Sequence, residues 1–318
     1  MLEHESLKTG LVTTRKPIIK LKKTEILQLN SSTSQNSLSP FSPSPFSIAA
    51  SPLSFFPPPQ THPPMPTKNI YFASDFHLGI PDRQSSLVRE KKLIRWLEMV
   101  QKDAEAIYLL GDLFDFWYEY KTVVPRGYTR LFSKLAELTD KGIPVHFFKG
   151  NHDLWAFDYL NEESGVIIHN DTLQIELKGK KFFMAHGDGL GHGDYRYKFM
   201  KKVFLSKLHQ FLFRWLHPDI GMNIGLYFSR GSRISNMIKE DRDENYYLNE
   251  KEFLLVFSRE TAAKNPDIDY FVFGHRHIPT NMKISEKANC VILGDWVKHF
   301  SYGKFDGETF EIKYFEKD

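Results

Sequence analysis

The chain has 318 residues, 41% hydrophobic, with a formal net charge of +3, long enough for one or two domains with a sizeable core. Its single cysteine, Cys290, excludes an internal disulfide and any thiolate metal cluster, and favours a cytoplasmic setting. Residues 1–66 hold six Lys/Arg against three Asp/Glu, so the remainder is formally neutral and no nucleic-acid-binding track is expected.

Ten of the 17 prolines fall between Pro40 and Pro66, mixed with serine. Such a stretch loses backbone donors and has no sustained period, so residues 1–66 are expected to be disordered. The apolar part at 46–56 is interrupted by Pro52 and lies far from the basic part at 15–23, unlike a signal peptide, and is too short to span a membrane. Met65 stands just before the first predicted strand. The reading is that translation naturally begins there, that what precedes is spurious or disordered, and that one domain covers 67–318.

Short apolar runs at 69–74, 106–110 and 144–148 read as buried parallel strands. The spacing of Leu93, Ile94, Leu97 and Val100 predicts a helix over 85–101, and that of Leu131, Leu135 and Leu138 another over 126–141, stopped by Gly142. Next, 172–177 and 181–185 flank a Lys178-Gly179-Lys180 turn and suit a hairpin, with further strands at 270–273, 290–293 and 310–315. Between them, 195–218 reads as one helix bearing Phe199, Phe204, Phe211 and Trp215 with lysines interleaved, followed by a segment at 227–233 and a helix over 249–264. Two readings fit the 195–218 stripe. It packs on the core with a solvated opposite face, or it seats acyl chains or rests on anionic lipid. Met200, Leu205 and Phe213 lie outside the main stripe, which gives more apolar surface than one core contact requires.

Five blocks carry the chemistry: Asp75-Phe-His77, Gly111-Asp112, Gly150-Asn-His-Asp153, His186-Gly-Asp188 and Gly274-His-Arg-His277. The first three each close an apolar run. In an open α/β sheet, ligands gather beyond the carboxyl ends of the strands, so these blocks should converge. The blocks supply seven oxygen or imidazole ligands, enough for two ions sharing one carboxylate. His146, His169, His209 and His217 have no motif context and are expected to be structural.

This order of motifs resembles the calcineurin-like metallophosphoesterases, over about residues 69–315. The resemblance implies a four-layer α/β/β/α metallophosphoesterase sandwich, with a helical lid insertion at about 195–264. It also implies two divalent ions. Asp75, His77 and His277 would serve one ion, Asn151, His186 and His275 the other, with Asp112 shared. Mixed imidazole and oxygen ligands suit Mn²⁺, Fe or Zn²⁺ over Ca²⁺; family behaviour favours manganese. His152 would bind a phosphate oxygen or protonate the leaving group, not an ion. Asp153 would orient ligands; Asp115 and Asp188 either do likewise or serve as ordinary turn or cap residues.

A narrower resemblance is to the UDP-2,3-diacylglucosamine pyrophosphatases of lipid A synthesis. It rests on Asp75-Phe-His-Leu-Gly79, Gly111-Asp-Leu-Phe-Asp-Phe-Trp117, and His186-Gly-Asp188 followed by Asp194 and Tyr197. It implies hydrolysis of UDP-2,3-diacylglucosamine to UMP and the acylated sugar 1-phosphate, with peripheral contact at the cytoplasmic face of the inner membrane. Asp194 and Tyr197 are matched substrate positions; Arg230 and Arg233 either pair with its phosphates or lie on a solvated charged loop. Two departures stand out: many members have arginine at the position of His152, and a Cys-Thr pair at Gly191-His192. The competing reading is a phosphodiesterase or nuclease acting on another nucleotide.

Overall fold

The computed structural model describes residues 68–193, 195–242 and 252–316, the side chains of 232–242 excepted. The tail expected at 1–66 lies outside the described residues. One sheet runs β11-β10-β1-β2-β3-β4 and the other β5-β6-β7-β9-β8. In the first, β1 (Asn69–Ala73), β2 (Ala104–Leu109), β3 (Val145–Phe148) and β4 (Ile167–His169) are parallel. Two antiparallel strands, β10 (Ser301–Phe305) and β11 (Phe310–Tyr314), extend it beside β1. The second holds the hairpin β5 (Leu173–Leu177) and β6 (Lys180–Ala185), then β7 (Tyr270–Phe273), β9 (Asn289–Ile292) and β8 (Thr280–Lys283).

Alternation along the strands builds the layers. Tyr71 and Ala73 of β1 pack with Leu93, Trp96 and Leu97 of α1 (Arg83–Val100) and Leu131, Leu135 and Leu138 of α2 (Thr129–Asp140). Ile70 and Phe72, on the opposite face, meet Phe182 and Met184 of β6 and Val272 of β7 between the sheets. On the far side of the second sheet, Phe183, Phe271 and Cys290 are covered by Leu254, Leu255 and Ala262 of α7 (Phe253–Lys264). A short α3 (Tyr159–Ser164) completes the body. This is the expected four-layer α/β/β/α sandwich. Because α7 is buried against a sheet, it is a layer of the body, and the helices that stand off it are α4 to α6.

The single helix expected over 195–218 is broken. α4 (Tyr195–Leu205) and α5 (Lys207–Arg214) are separated at Ser206, whose extended backbone starts the second helix. The segment at 227–233 lies inside α6 (Pro218–Arg242). No residue of α4 or α5 is fully buried. Phe204 and Phe213 turn inward, onto Tyr118, Leu154 and Trp155, while Phe199 is 70% and Trp215 76% exposed. No helix among the described residues is long and apolar enough to cross a membrane.

His146 and His169 pair across β3 and β4, with Nδ1 of the first 2.9 Å from Nε2 of the second, and His146 stacks on Tyr108. Burial, then the neighbouring His169, lowers His146 to about 4. A depressed histidine stabilises the fold fully above its unfolded value near 6.5, and that contribution is lost as pH falls through about 4. His146→Phe is therefore expected to blunt acid destabilisation in that window, by roughly 1–3 kcal/mol. Urea unfolding of both proteins at pH 7 and pH 4.5 checks this; an identical drop in both would refute it.

Candidate metal centre

Parallel strands bring the blocks to one edge. Asp75 follows β1, Asp112 follows β2, Asn151 follows β3, His186 closes β6 and His275 follows β7. Backbone bonds lock the loops together: Asp75 N–H to Gly111 O, His77 N–H to Asp112 O and Gly274 N–H to His186 O. The loops also need their glycines: a Cβ at Gly274 would collide with Ser74 Oγ and Asp75 Oδ2, and one at Gly150 with Asp112 Oδ1.

Asp75, His77, Asp112, His275 and His277 all have positive φ, between 44° and 67°, a region non-glycine residues rarely occupy. These five of the converging residues are thus held in unfavourable backbone geometry by their surroundings.

Among the described residues, three sets of donor atoms come within 4.8 Å of one another: Asp75, His77 and His277; His77, Asp112 and His152; Asp112, His186 and His275. Asp112 Oδ2 is 3.3 Å from His186 Nε2, 3.8 Å from His77 Nε2 and 3.9 Å from His152 Nε2. His77 Nε2 and His277 Nε2 are 3.2 Å apart. Asp75 Oδ1 is buried without a hydrogen-bond partner and lies 3.2 Å from His277 Nε2.

These donors fit cations. Leu110 O can only accept, so at 2.7 Å it takes the Nδ1–H of His186. A neutral His186 then presents its Nε2 lone pair to Asn151 Oδ1 at 3.2 Å and Asp112 Oδ2 at 3.3 Å, three acceptors facing one another. Either a proton or a cation must sit among them. Burial would lower His186, yet Asp112 pushes it up to about 10. Burial likewise would raise Asp75 and Asp112, but the surrounding imidazoles hold both below the ordinary carboxylate range. A field that draws a proton so strongly draws a divalent ion in its place, and metal binding then releases the proton.

Other groups hold the site in position. Asp153 accepts from Gly150 N–H and Leu113 N–H, each at 2.7 Å, tying the loops after β2 and β3; burial and then Asp112 push it up to about 7. Asp115 Oδ1 faces His77 Nδ1 at 3.8 Å, and Asp295 Oδ2 faces His277 Nδ1 at 3.8 Å. The buried Arg89 of α1 donates from Nη1 to His77 O and Ile80 O. Neither Arg89 nor Asp295 was expected. The Gly294-Asp295 pair at the end of β9 repeats the Gly111-Asp112 pattern and could have flagged the second; Arg89 has no such signal.

His152 lies beside the cluster, its backbone N–H donating to Asp112 Oδ1 at 2.9 Å. Tyr197 donates its hydroxyl to Asp188 Oδ2 at 2.5 Å, where Lys201 Nζ also binds at 2.6 Å. Arg230 is exposed on α6. Asp194 and the Arg233 side chain lie outside the described residues. His209 and His217 are exposed on and beside α5.

Fold and centre together define a metal-dependent phosphoesterase: the calcineurin-like phosphoesterase family model matches residues 68–279, and the chain belongs to that family. A protein of Porphyromonas gingivalis named UDP-2,3-diacylglucosamine hydrolase is 39% identical over 259 residues, which cover 78% of this chain and 97% of that one. One of the same name from Yersinia pestis is 28% identical over 247 residues, covering 76% and 96%. Among solved structures, Yfce, a phosphoesterase from E. coli, matches at 16% identity and a TM-score of 0.39, covering 78% of this chain and 93% of that one.

Proposed function

We propose that this hydrolase cleaves the pyrophosphate bond of UDP-2,3-diacylglucosamine, giving UMP and 2,3-diacylglucosamine 1-phosphate for lipid A synthesis. The observation that carries the reading is an imidazole–carboxylate centre next to helices with uncovered apolar side chains. Phe199, Leu208, Phe211, Leu212, Trp215 and Phe228 are all exposed, and uncovered apolar surface of this extent marks a binding face. A cavity of about 610 Å³ between α1, residues 116–130 and α6 adds apolar room, with Val124, Met222 and Leu226 in its walls and Arg83 and Arg126 beside them. The names of the relatives agree with this substrate.

We assign Asp75, His77 and His277 to one ion and Asn151, His186 and His275 to a second, with Asp112 shared; the ions are taken as Mn²⁺. When bound, such a pair supplies a nucleophile at neutral pH and neutralises charge on the phosphoryl oxygens. The chain's own residues orient the substrate. His152 Nε2 faces the centre, placed to donate to a phosphoryl oxygen or the leaving group. Asp194 and Tyr197 are assigned to the sugar end, and Arg230 and Arg233 to the phosphates. The acyl chains lie against α4 to α6, which form a lid on the 67–318 body. The outer aromatics, with exposed Lys202, Lys207 and Arg214 between them, rest on the anionic cytoplasmic face of the inner membrane.

The test compares kcat/KM for UDP-2,3-diacylglucosamine and unacylated UDP-glucosamine. Each buried methylene contributes about 0.8 kcal/mol, so the acylated substrate is expected to be preferred by several orders of magnitude. Phe199→Ser or Phe211→Ser should lower its turnover about 10-fold or more and spare a small phosphodiester. Equal rates on both nucleotide sugars would remove the lipid assignment and leave a phosphodiesterase of another nucleotide.

A further inference from the structure

We infer that Ser229, on the inner face of the lid helix α6, is a positioning residue for His152, so that the histidine is correctly aimed only while the lid is seated. The inference rests on the reading of His152 as the group that meets the phosphoryl centre.

Gly221, Gly225 and Ser229 recur every four residues along α6, and all three are buried. Residues at that spacing share one helix face. Ile224, Tyr227 and Phe228, between them, are exposed. The small residues permit close docking, since a Cβ at Gly225 would collide with the Phe116 ring and one at Gly221 with Tyr120 Oη. Phe116 and Tyr120 belong to the loop that follows Asp112 and Asp115. The helix backbone therefore comes close enough for a side chain as short as serine to reach the site.

Ser229 Oγ donates to Asp115 Oδ2 at 2.8 Å and lies 3.0 Å from His152 Nδ1. That same Nδ1 is 2.8 Å from the backbone oxygen of Asp115. A carbonyl only accepts, so the ring proton sits on Nδ1 and is shared between Asp115 O and the serine lone pair. The serine's own proton is committed to Asp115 Oδ2. With both hydroxyl roles fixed, the imidazole cannot swing about its axis without breaking two bonds. Its Nε2 stays on the inner side, 3.9 Å from Asp112 Oδ2. Among the described residues, Ser229 is the α6 side chain bonded to His152 and Asp115, so a lid that lifts takes this support with it. Arginine at the same place would need no such partner, since its planar fork has no tautomer to fix.

The experiment is a double-mutant cycle on Ser229→Ala and His152→Ala, read with bis(p-nitrophenyl) phosphate and, separately, with the acylated nucleotide sugar. Alanine favours a helix and removes a single oxygen, so α6 is kept. Ser229→Ala is expected to lower kcat by about 10- to 100-fold, the usual effect of losing a partner that orients a site residue, with KM little changed. In the His152→Ala background it should have no further effect. Losses that simply multiply would make Ser229 a structural residue and overturn the inference. A second readout needs no turnover: in long-range ¹H–¹⁵N spectra of the metal-free protein, the His152 Nδ1 signal, identified by its loss in His152→Ala, should move in Ser229→Ala. An unmoved signal would also overturn it. Should the phosphodiester be cleaved and the nucleotide sugar not, the substrate proposal fails while the cycle on the phosphodiester still decides the role of Ser229.

Discussion

Asp112→Ala is expected to lose at least one equivalent of bound metal and nearly all hydrolysis, whichever phosphoester is offered. Its carboxylate lies between His77 Nε2 on one side and His186 Nε2 on the other. Its Oδ1 also accepts the His152 N–H, so the loop after β3 loses an anchor at the same time. Charge stabilisation by a bound ion is worth several kcal/mol, which corresponds to about 10³-fold or more in rate. Elemental analysis of the dialysed variant beside its specific activity is the measurement. Two ions per chain with substantial turnover would refute the shared-ligand assignment.

His152→Ala is expected to behave differently: the metals stay and the rate falls by roughly 10²–10⁴, the scale for a positioned proton donor. The ring also lies within ligand reach of His77 and Asp112, so geometry alone allows it to be a ligand. The assignment to the phosphoryl group is carried by the motif, in which the preceding Asn151 is the ligand. With Nδ1 held by Asp115 O and Ser229, Nε2 faces the centre in either role, and the metal count decides between them. Loss of one ion in this variant, measured by the same elemental analysis, would make His152 a ligand.

Much of the body could be read from the chain because β1, β2, β3, β6 and β7 are short apolar runs ending in a chemical block. The lid could not. Gly221, Gly225 and Ser229 form the docked face of α6, so hydrophobic periodicity, which looks for large buried side chains, points at the exposed Tyr227 and Phe228 instead. The break at Ser206 went unseen because apolar residues continue on both sides of it. β10 escaped notice because Gly303 in its centre makes room for the Phe310 ring, where sequence suggests a turn. β4 and β8 are edge strands of three and four residues with partly exposed, mixed side chains. Of the site, the convergence of the motif residues was legible; Arg89 and Ser229 were not, since each reaches the centre from a helix with no motif of its own, and Asp295 was missed although Gly294-Asp295 repeats the Gly111-Asp112 pattern.

The left-handed backbone at Asp75, His77, Asp112, His275 and His277 sets activity against durability. Each such residue costs about 1–3 kcal/mol, together on the order of 5–15, which rivals the entire net stability of a typical domain. Glycine would relieve every one of these positions and would remove a carboxylate or imidazole from the cluster each time. Mutational drift toward a sturdier protein therefore runs downhill toward an emptied centre, and the five side chains stay in place against that slope.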